Sequence, residues 1–320
     1  MPFGTALLLA ILLAAPALAS LAAASAAFHR VARRRRWIPS DRVSWVERRW
    51  VVRPAAGVLV LYAAAFAWGA WVESGWIRVA RTELPARAPV LGRARFRIVH
   101  LSDFHLERIG ARERRMVELV REAEPHLVLL TGDYLNRREG GAALAEVLEA
   151  LRGIAPPHGI FAVGGHMDEK FITREIFRRA GVEFLEDESR VLEGGGGRLR
   201  LAAQGVWPRE SLREILRGLD RDTPTIFLRH DPSGAAELRA LREGERVDLF
   251  LCGHTHGGQV CLPFLGALVP STGEAGRFER GLHSVGEVPM YVNRGIGLSP
   301  GLPLRILSRP EVAVIELVAK

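Results

Sequence analysis

Lysine is almost missing from this chain: Lys170 and Lys320 stand alone against 42 arginines among 320 residues. That bias is compositional and excludes no chemistry, but other shortages do. There are two cysteines, Cys252 and Cys261, too few for a disulfide framework. Cys252 lies inside an apolar run and reads as a small buried residue rather than half of a bridge. A basic excess is missing from residues 96–320, where 30 basic residues face 32 acidic ones. The net charge of +8 therefore comes from the first 95 residues, with 14 Arg against Asp41, Glu47, Glu73 and Glu83. A near-neutral large domain has no broad polyanion-binding face, so no nucleic-acid partner is expected. No internal repeat is visible.

Charge is wholly absent from residues 4–28 and from 54–72, "PAAGVLVLYAAAFAWGAWV". Each run approaches the ~20 residues that carry a helix across a bilayer. Trp68, Trp71 and Trp76 gather toward one end of the second, as at a membrane interface. A signal peptide is the competing reading of the first run, because "APALAS" offers an Ala-x-Ala site. Positive charge should precede such a run, however, and "MPFGT" has none. The nine arginines at 30, 33–36, 42, 48, 49 and 53 follow it instead, which favours a transmembrane helical hairpin with its Arg-rich loop in the cytoplasm. The expected organisation is a membrane anchor over 1–80, a linker over 81–95 and a catalytic-size domain over 96–320. That domain would lie on the extracytoplasmic side of the membrane.

From Phe96 the pattern alternates. "FRIVHLS", "HLVLLTG", "GIFAVGG", "TPTIFLRH" and "VDLFLCGH" are short apolar runs with β-branched residues, and helical spacing marks "ARERRMVELVREAE", "GAALAEVLEALRGI" and "ITREIFRRAG". Further helices are expected at about 209–219 and 233–242. "VLEGGGGRLRLAAQGV" reads as a hairpin, and "VPMYVNRG" and "EVAVIELV" as late strands. This is a layered α/β domain.

Polar residues follow each strand: Asp103 and His105, then Asp133, His166, His230, and finally His254 with His256 in "LCGHTHGGQV". Ligands of open α/β sheets gather at the carboxyl ends of strands. Five of the ten histidines sit at such ends. One alone would be a capping or core histidine; together with two aspartates they suit hard-to-borderline divalent metals. A shared carboxylate can bridge two ions about 3.5–4 Å apart.

The ordered motifs "DFH", "GDYLNR", "GGHMD", "RHDP" and "GHTHGGQ" resemble those of the calcineurin-like metallophosphoesterases. The segments "YVNRGIG" and "LRILSRPEVAVIEL" are similar to the membrane-associated bacterial branch. The resemblance spans about residues 95–318 and implies a four-layer αββα sandwich with two divalent ions (Mn, Fe or Zn). By motif matching, Asp103, His105 and His256 would hold the first ion, Asp133 would bridge, and His230 and His254 would hold the second. A bridging hydroxide would attack phosphorus. His166 would bind no metal but stabilise charge or protonate the leaving oxygen. Arg294 is expected to be an exposed structural residue.

One motif departs from the pattern. The family has Gly-Asn-His-Asp or Gly-Asn-His-Glu, whose Asn is a ligand of the second metal, where this chain has Gly164-Gly165-His166-Met167-Asp168. Gly165 has no side chain to coordinate. Water could fill the gap and weaken the second site, Asp168 could swing in, or ligand geometry could be lost; Gly165→Asn is expected to raise metal affinity. The leading expectation is a metal-dependent phosphohydrolase acting on a phosphomonoester or phosphodiester, with a phospholipid or nucleotide-linked lipid as substrate. The alternative is a membrane-tethered, non-catalytic metal- or phosphate-binding module with a degenerate second site. Glu107, Arg108, Asn136 and Arg137, just after the metal motifs, either touch substrate or shape turns.

Overall fold

The computed structural model describes residues 3–39, 49–86, 89–168, 174–217, 220, 222–241, 246–268 and 277–319. The chain divides into two units, Met1–Trp71 and Val72–Lys320.

The first unit holds two helices, α1 (Phe3–Arg34) and α2 (Arg49–Ala67), which pack against each other. Both expected spans are thus helical. Among the described residues, the stretch Val51–Gly75 is long and apolar enough to cross a membrane by length and composition. Residues 40–48, which carry the second half of the expected Arg-rich loop, lie outside the described residues.

The second unit is built on two six-stranded sheets. The first contains β1 (Arg78–Ala86), β2 (Arg95–Leu101), β3 (Leu127–Thr131), β4 (Ile160–Val163), β5 (Glu183–Phe184) and β14 (Glu311–Ala319), in the order β1-β14-β2-β3-β4-β5. The second contains β6 (Glu188–Gly194), β7 (Gly197–Ala203), β8 (Thr225–Leu228), β9 (Leu249–Cys252), β12 (Gly281–Val285) and β13 (Val288–Val292), in the order β12-β13-β9-β8-β7-β6. A short pair, β10 (Cys261–Leu262) and β11 (Gly266–Ala267), stands apart. The central pairings β2-β3-β4 and β7-β8-β9 are parallel.

Residue alternation explains the layers, since successive side chains of a strand point to opposite faces. Phe96, Ile98, Leu127, Leu129, Phe161 and Val163 meet Leu201, Ile226, Leu228, Leu249 and Leu251 in a core between the sheets. The alternate residues Val99, Leu101, Val128 and Leu130 turn outward. They pack under α3 (Ala111–Glu122), α4 (Gly141–Arg152) and α5 (Arg174–Arg179) through Met116, Val120, Leu144, Leu148 and Phe177. On the far face Ala202, Phe227 and Phe250 are covered by α6 (Leu212–Ile215) and α7 (Gly234–Arg239) through Leu212, Ala235 and Leu238. Burial on both faces is why these strands read as continuous apolar runs. The result is the expected helix–sheet–sheet–helix stack.

Residues 81–95, expected to be a linker, carry most of an edge strand. β1 runs parallel to β14 from Arg78↔Glu311 to Ala86↔Ala319, so the second unit starts at Val72 rather than at 96. Residues 169–173, where "ITREIFRRAG" begins, and residues 269–276 lie outside the described residues.

Candidate dimetal site

The parallel strands of both sheets end at one edge of the sandwich, and the polar residues follow at once. Asp103 and His105 leave β2, Asp133 leaves β3, His166 follows β4, His230 follows β8, and His254 and His256 follow β9. Hydrogen bonds knit these loops together: Asp103 N–H donates to Gly132 O (2.9 Å), His105 N–H to Asp133 O (3.0 Å) and Gly253 N–H to His230 O (2.7 Å). The two sheets join where His254 N–H donates to the Asp103 carboxylate, at 3.0 and 3.1 Å. A Cβ on Gly253 would lie 2.3 Å from Asp103 Oδ2 and 2.0 Å from Ser102 Oγ, so this approach requires glycine. Asp103, His105, Asp133, His254 and His256 all take positive φ, from 45° to 73°. Each such conformation costs roughly 1 kcal/mol or more in a non-glycine residue. Five in one hollow mark a place where the fold sacrifices stability to aim side chains.

All the sequence-predicted ligands converge. One donor atom from each of Asp103, His105 and His256 lies within 4.8 Å of the others, as do those of Asp103, Asp133 and His230, and those of His166, His230 and His254. The three groups overlap through Asp103 and His230. Asp133 Oδ2 stands between the outer groups, 3.6 Å from His105 Nε2 and 3.4 Å from His230 Nε2. His256 Nε2 is 3.1 Å from His105 Nε2 and 3.5 Å from Asp103 Oδ1, and His254 Nδ1 is 3.3 Å from His230 Nε2.

Other residues fix which ring nitrogen is offered. His230 Nδ1 is 2.7 Å from the Thr131 carbonyl oxygen, which can only accept, so His230 carries a proton there and Nε2 is the nitrogen turned to the hollow. His105 Nδ1 meets Asn136 Oδ1 at 2.7 Å, with the same consequence. Asn136 thus orients the His105 ring, and its amide donates in turn to Glu107 Oε1 at 3.3 Å. Arg305 is fully buried and donates to the carbonyls of Gly297, Arg294, Ser308 and His256, clamping the His256 loop. No sequence pattern singled it out.

The Asp168 carboxylate is engaged by backbone N–H groups. Its Oδ2 accepts N–H bonds from Asp133 (2.8 Å) and Gly165 (2.6 Å), and its Oδ1 accepts one from Tyr134 (2.9 Å). Gly165 cannot accept a side chain in place: a Cβ would lie 2.3 Å from Asp133 N and 2.4 Å from Asp133 Oδ1. Gly165→Asn would therefore displace Asp133 before any amide reached the hollow. Arg294 is half-buried rather than exposed and pairs with Glu311 at 3.1 Å. Both cysteines are buried free thiols, raised by burial and so kept protonated. Trp207 is two-thirds exposed and sets its ring edge-on to His166, with centroids 5.8 Å apart.

Charge explains what the hollow wants. Asp103 and Asp133 are buried, and neither is paired with Arg or Lys among the described residues. Burial raises Asp103 above the usual carboxylate range. Burial also works to raise Asp133, but the charge and hydrogen bond of His230 outweigh it and hold Asp133 low. Burial disfavours a charged His230, yet Asp133 and Asp103 lift it to about 10. Burial, with His230 beside it, lowers His254 to about 4, and burial lowers His256 as well. The carboxylates stabilise positive charge in their midst strongly enough to keep a fully buried imidazole protonated. A divalent cation satisfies the same demand, and the mixed carboxylate–imidazole donors suit one.

Residues 96–258 match the calcineurin-like phosphoesterase family. The Phosphodiesterase YaeI of Escherichia coli is 29% identical over 274 residues, covering 82% of this chain and 97% of that protein. An uncharacterized metallophosphoesterase of Bacillus subtilis, YkoQ, is 30% identical over 237 residues, covering 70% of this chain and 84% of that one. A transmembrane protein with metallophosphoesterase domain from Danio rerio is 30% identical over 244 residues, 69% of this chain and 53% of its own length. The matched span runs from β2 through the histidines after β9, so the likeness falls on the metal-binding edge itself: the chain is a hydrolase of phosphoric ester bonds and belongs to the calcineurin-like phosphoesterase family.

Proposed function

We propose that this protein is a membrane-anchored two-metal phosphohydrolase that cleaves a phosphomonoester or phosphodiester presented at or near a bilayer, with a phospholipid or a nucleotide-linked lipid as the substrate class. One observation carries the reading: Asp133 Oδ2 lies between His105 Nε2 and His230 Nε2, at 3.6 and 3.4 Å, where a single carboxylate serves both donor groups. Asp103, His105 and His256 would hold one ion, His230 and His254 the other, and Asp133 would be shared. Two divalent ions (Mn, Fe or Zn) bound there would supply a nucleophile from water near neutral pH and neutralise charge on the phosphoryl group. The chain contributes rigidity: Thr131 and Asn136 fix imidazole tautomers, and the interlocked loops hold the donors without reorganisation.

The apolar stretch Val51–Gly75 supports anchoring, and the arginines at 33–36 favour a cytoplasmic loop and an extracytoplasmic catalytic domain in a bacterial cell membrane. Full-length protein in detergent is expected to hydrolyse bis(p-nitrophenyl) phosphate or p-nitrophenyl phosphate with Mn²⁺. EDTA should stop turnover and Mn²⁺ should restore it, while Asp133→Asn should remain inert. Lack of turnover on both aryl esters and on a phospholipid panel, with every divalent ion tried, would leave the non-catalytic binding module as the better reading. Protease treatment of spheroplasts tests the orientation: a domain protected until the membrane is broken contradicts it.

A further inference from the structure

We propose that His166 is a ligand of the second metal ion, the third imidazole beside His230 and His254, and that Met167 takes the place facing the phosphate where the family resemblance puts a histidine. This inference rests on the two-metal reading above and sharpens the content of its second site.

Four observations lead there. First, a ring nitrogen of His166 lies within 4.8 Å of one on His230 and one on His254, with ring centroids 5.2 and 4.7 Å away. Nitrogens bound to one ion at about 2.0–2.1 Å are about 3.4 Å apart in a tetrahedral site, so closure takes at most about 1.4 Å. Second, His166 Nδ1 is buried and has no hydrogen-bond partner among the described residues. A buried polar atom left unpaired costs free energy comparable to a lost hydrogen bond, and a bound ion relieves that cost if the ring turns this nitrogen toward it. Third, the backbone at Gly165 rests against Asp133 too closely for any side chain. Residue 165 therefore fills the place of the motif's glycine and not that of its asparagine. Fourth, Asp168 accepts the N–H groups of Asp133, Tyr134 and Gly165, which fixes the acid that closes the motif.

Gly165 and Asp168 are the ends of a four-residue segment, the length of Gly-Asn-His-Asp. Counted between those ends, His166 falls where the asparagine stands and Met167 where the histidine stands. Counting from Gly164 gives a one-residue slip, and sequence spacing alone cannot choose between the two registers. The geometry chooses the one that places an imidazole beside His230 and His254.

Two consequences follow. The second ion sits among three imidazoles and Asp133, whereas the first has two imidazoles and two carboxylates. The nitrogen-rich second site should prefer borderline ions such as Zn²⁺ or Co²⁺ over Mn²⁺ more strongly than the first does. A thioether also has no proton to give, so the chain lacks an imidazole acid at residue 167, and esters with good leaving groups should be favoured.

Titrating EDTA-stripped full-length protein with Co²⁺, followed by visible absorption and calorimetry, tests the assignment without any turnover assay. Wild type is expected to bind two equivalents. His166→Ala should keep the first equivalent and bind the second about tenfold or more weakly, with loss of its visible bands. His166→Asn, which restores a neutral ligand, should recover two equivalents with shifted bands. If His166→Ala, or His166→Asn where Ala fails to fold, gives bands and affinities identical to wild type, His166 is not a ligand. If wild type itself takes up fewer than two equivalents, the two-metal reading fails and this inference with it. The two failures are therefore distinguishable in one titration.

Discussion

Asp168 offers the sharpest separation between a scaffold and a ligand. Its carboxyl group is buried, and its two oxygens hold three backbone N–H groups at 2.6, 2.8 and 2.9 Å. These bonds fasten the Asp133 turn to the loop after β4. In Asp168→Ala the three donors lose their partner. Each unsatisfied buried N–H costs about 1–3 kcal/mol, so the total approaches the whole stability of a typical domain, about 5–15 kcal/mol. Asp168→Asn is the gentler probe. Its remaining oxygen can serve Asp133 and Gly165, but its amide nitrogen then faces Tyr134 N–H, donor against donor. One lost bond of this kind is worth about 1–3 kcal/mol and, for a unit of this size, a fall in Tm of roughly 2–12 °C. The assay is thermal unfolding of full-length protein by circular dichroism in EDTA. The fall should be present there, because these bonds need no metal. If Tm in EDTA is unchanged and only metal affinity drops, Asp168 is a ligand and the reasoning is wrong. The pH dependence gives a second check. Burial and nearby Asp133 raise Asp168 from 3.8 to about 7, so the folded state binds this proton more tightly than the unfolded chain. The associated stability is fully present below about 4 and is lost as pH rises through about 7, whereas Asp168→Asn should show no such step.

Asn136→Ala removes the acceptor that fixes the His105 tautomer and should weaken the first metal site about 10–100-fold. Calorimetric titration checks this, and an unchanged affinity would mean that the 2.7 Å contact is incidental. Metal affinity should rise with pH, because an ion at the second site must displace the proton on His230, which is held up to about 10. Between about pH 6 and 9 one displaced proton gives a slope near tenfold per pH unit. A flat dependence over that range would show that His230 carries no proton in the metal-free protein.

Much of the site was legible because each ligand follows an apolar run, and runs buried on both faces are visible in sequence. Asp103, His105, Asp133, His230, His254 and His256 come together at one edge as expected. What could not be read depends on distant contacts. β1 looks like a linker because "RVARTELPA" alternates charge with apolar residues, and its partner β14 lies more than 200 residues away. Arg305 and Asn136 were not readable as supports, since each is defined by an atom it touches across the fold. The register of "GGHMD" is a different case. Two glycines in a row leave the count ambiguous in sequence, and the close packing of Gly165 on Asp133 that bears on it is a contact across the fold. α6 and α7 are shorter than their helical spacing suggests, four and six residues.

The central claim is that one carboxylate, Asp133, serves two ions at once. Electron paramagnetic resonance of EDTA-stripped full-length protein reloaded with Mn²⁺ tests it most directly. At two bound equivalents the account predicts a spin-coupled pair, as expected of ions about 3.5–4 Å apart, and loss of the coupling in Asp133→Asn. Two equivalents that give only isolated Mn²⁺ signals, or saturation at a single equivalent, would contradict it.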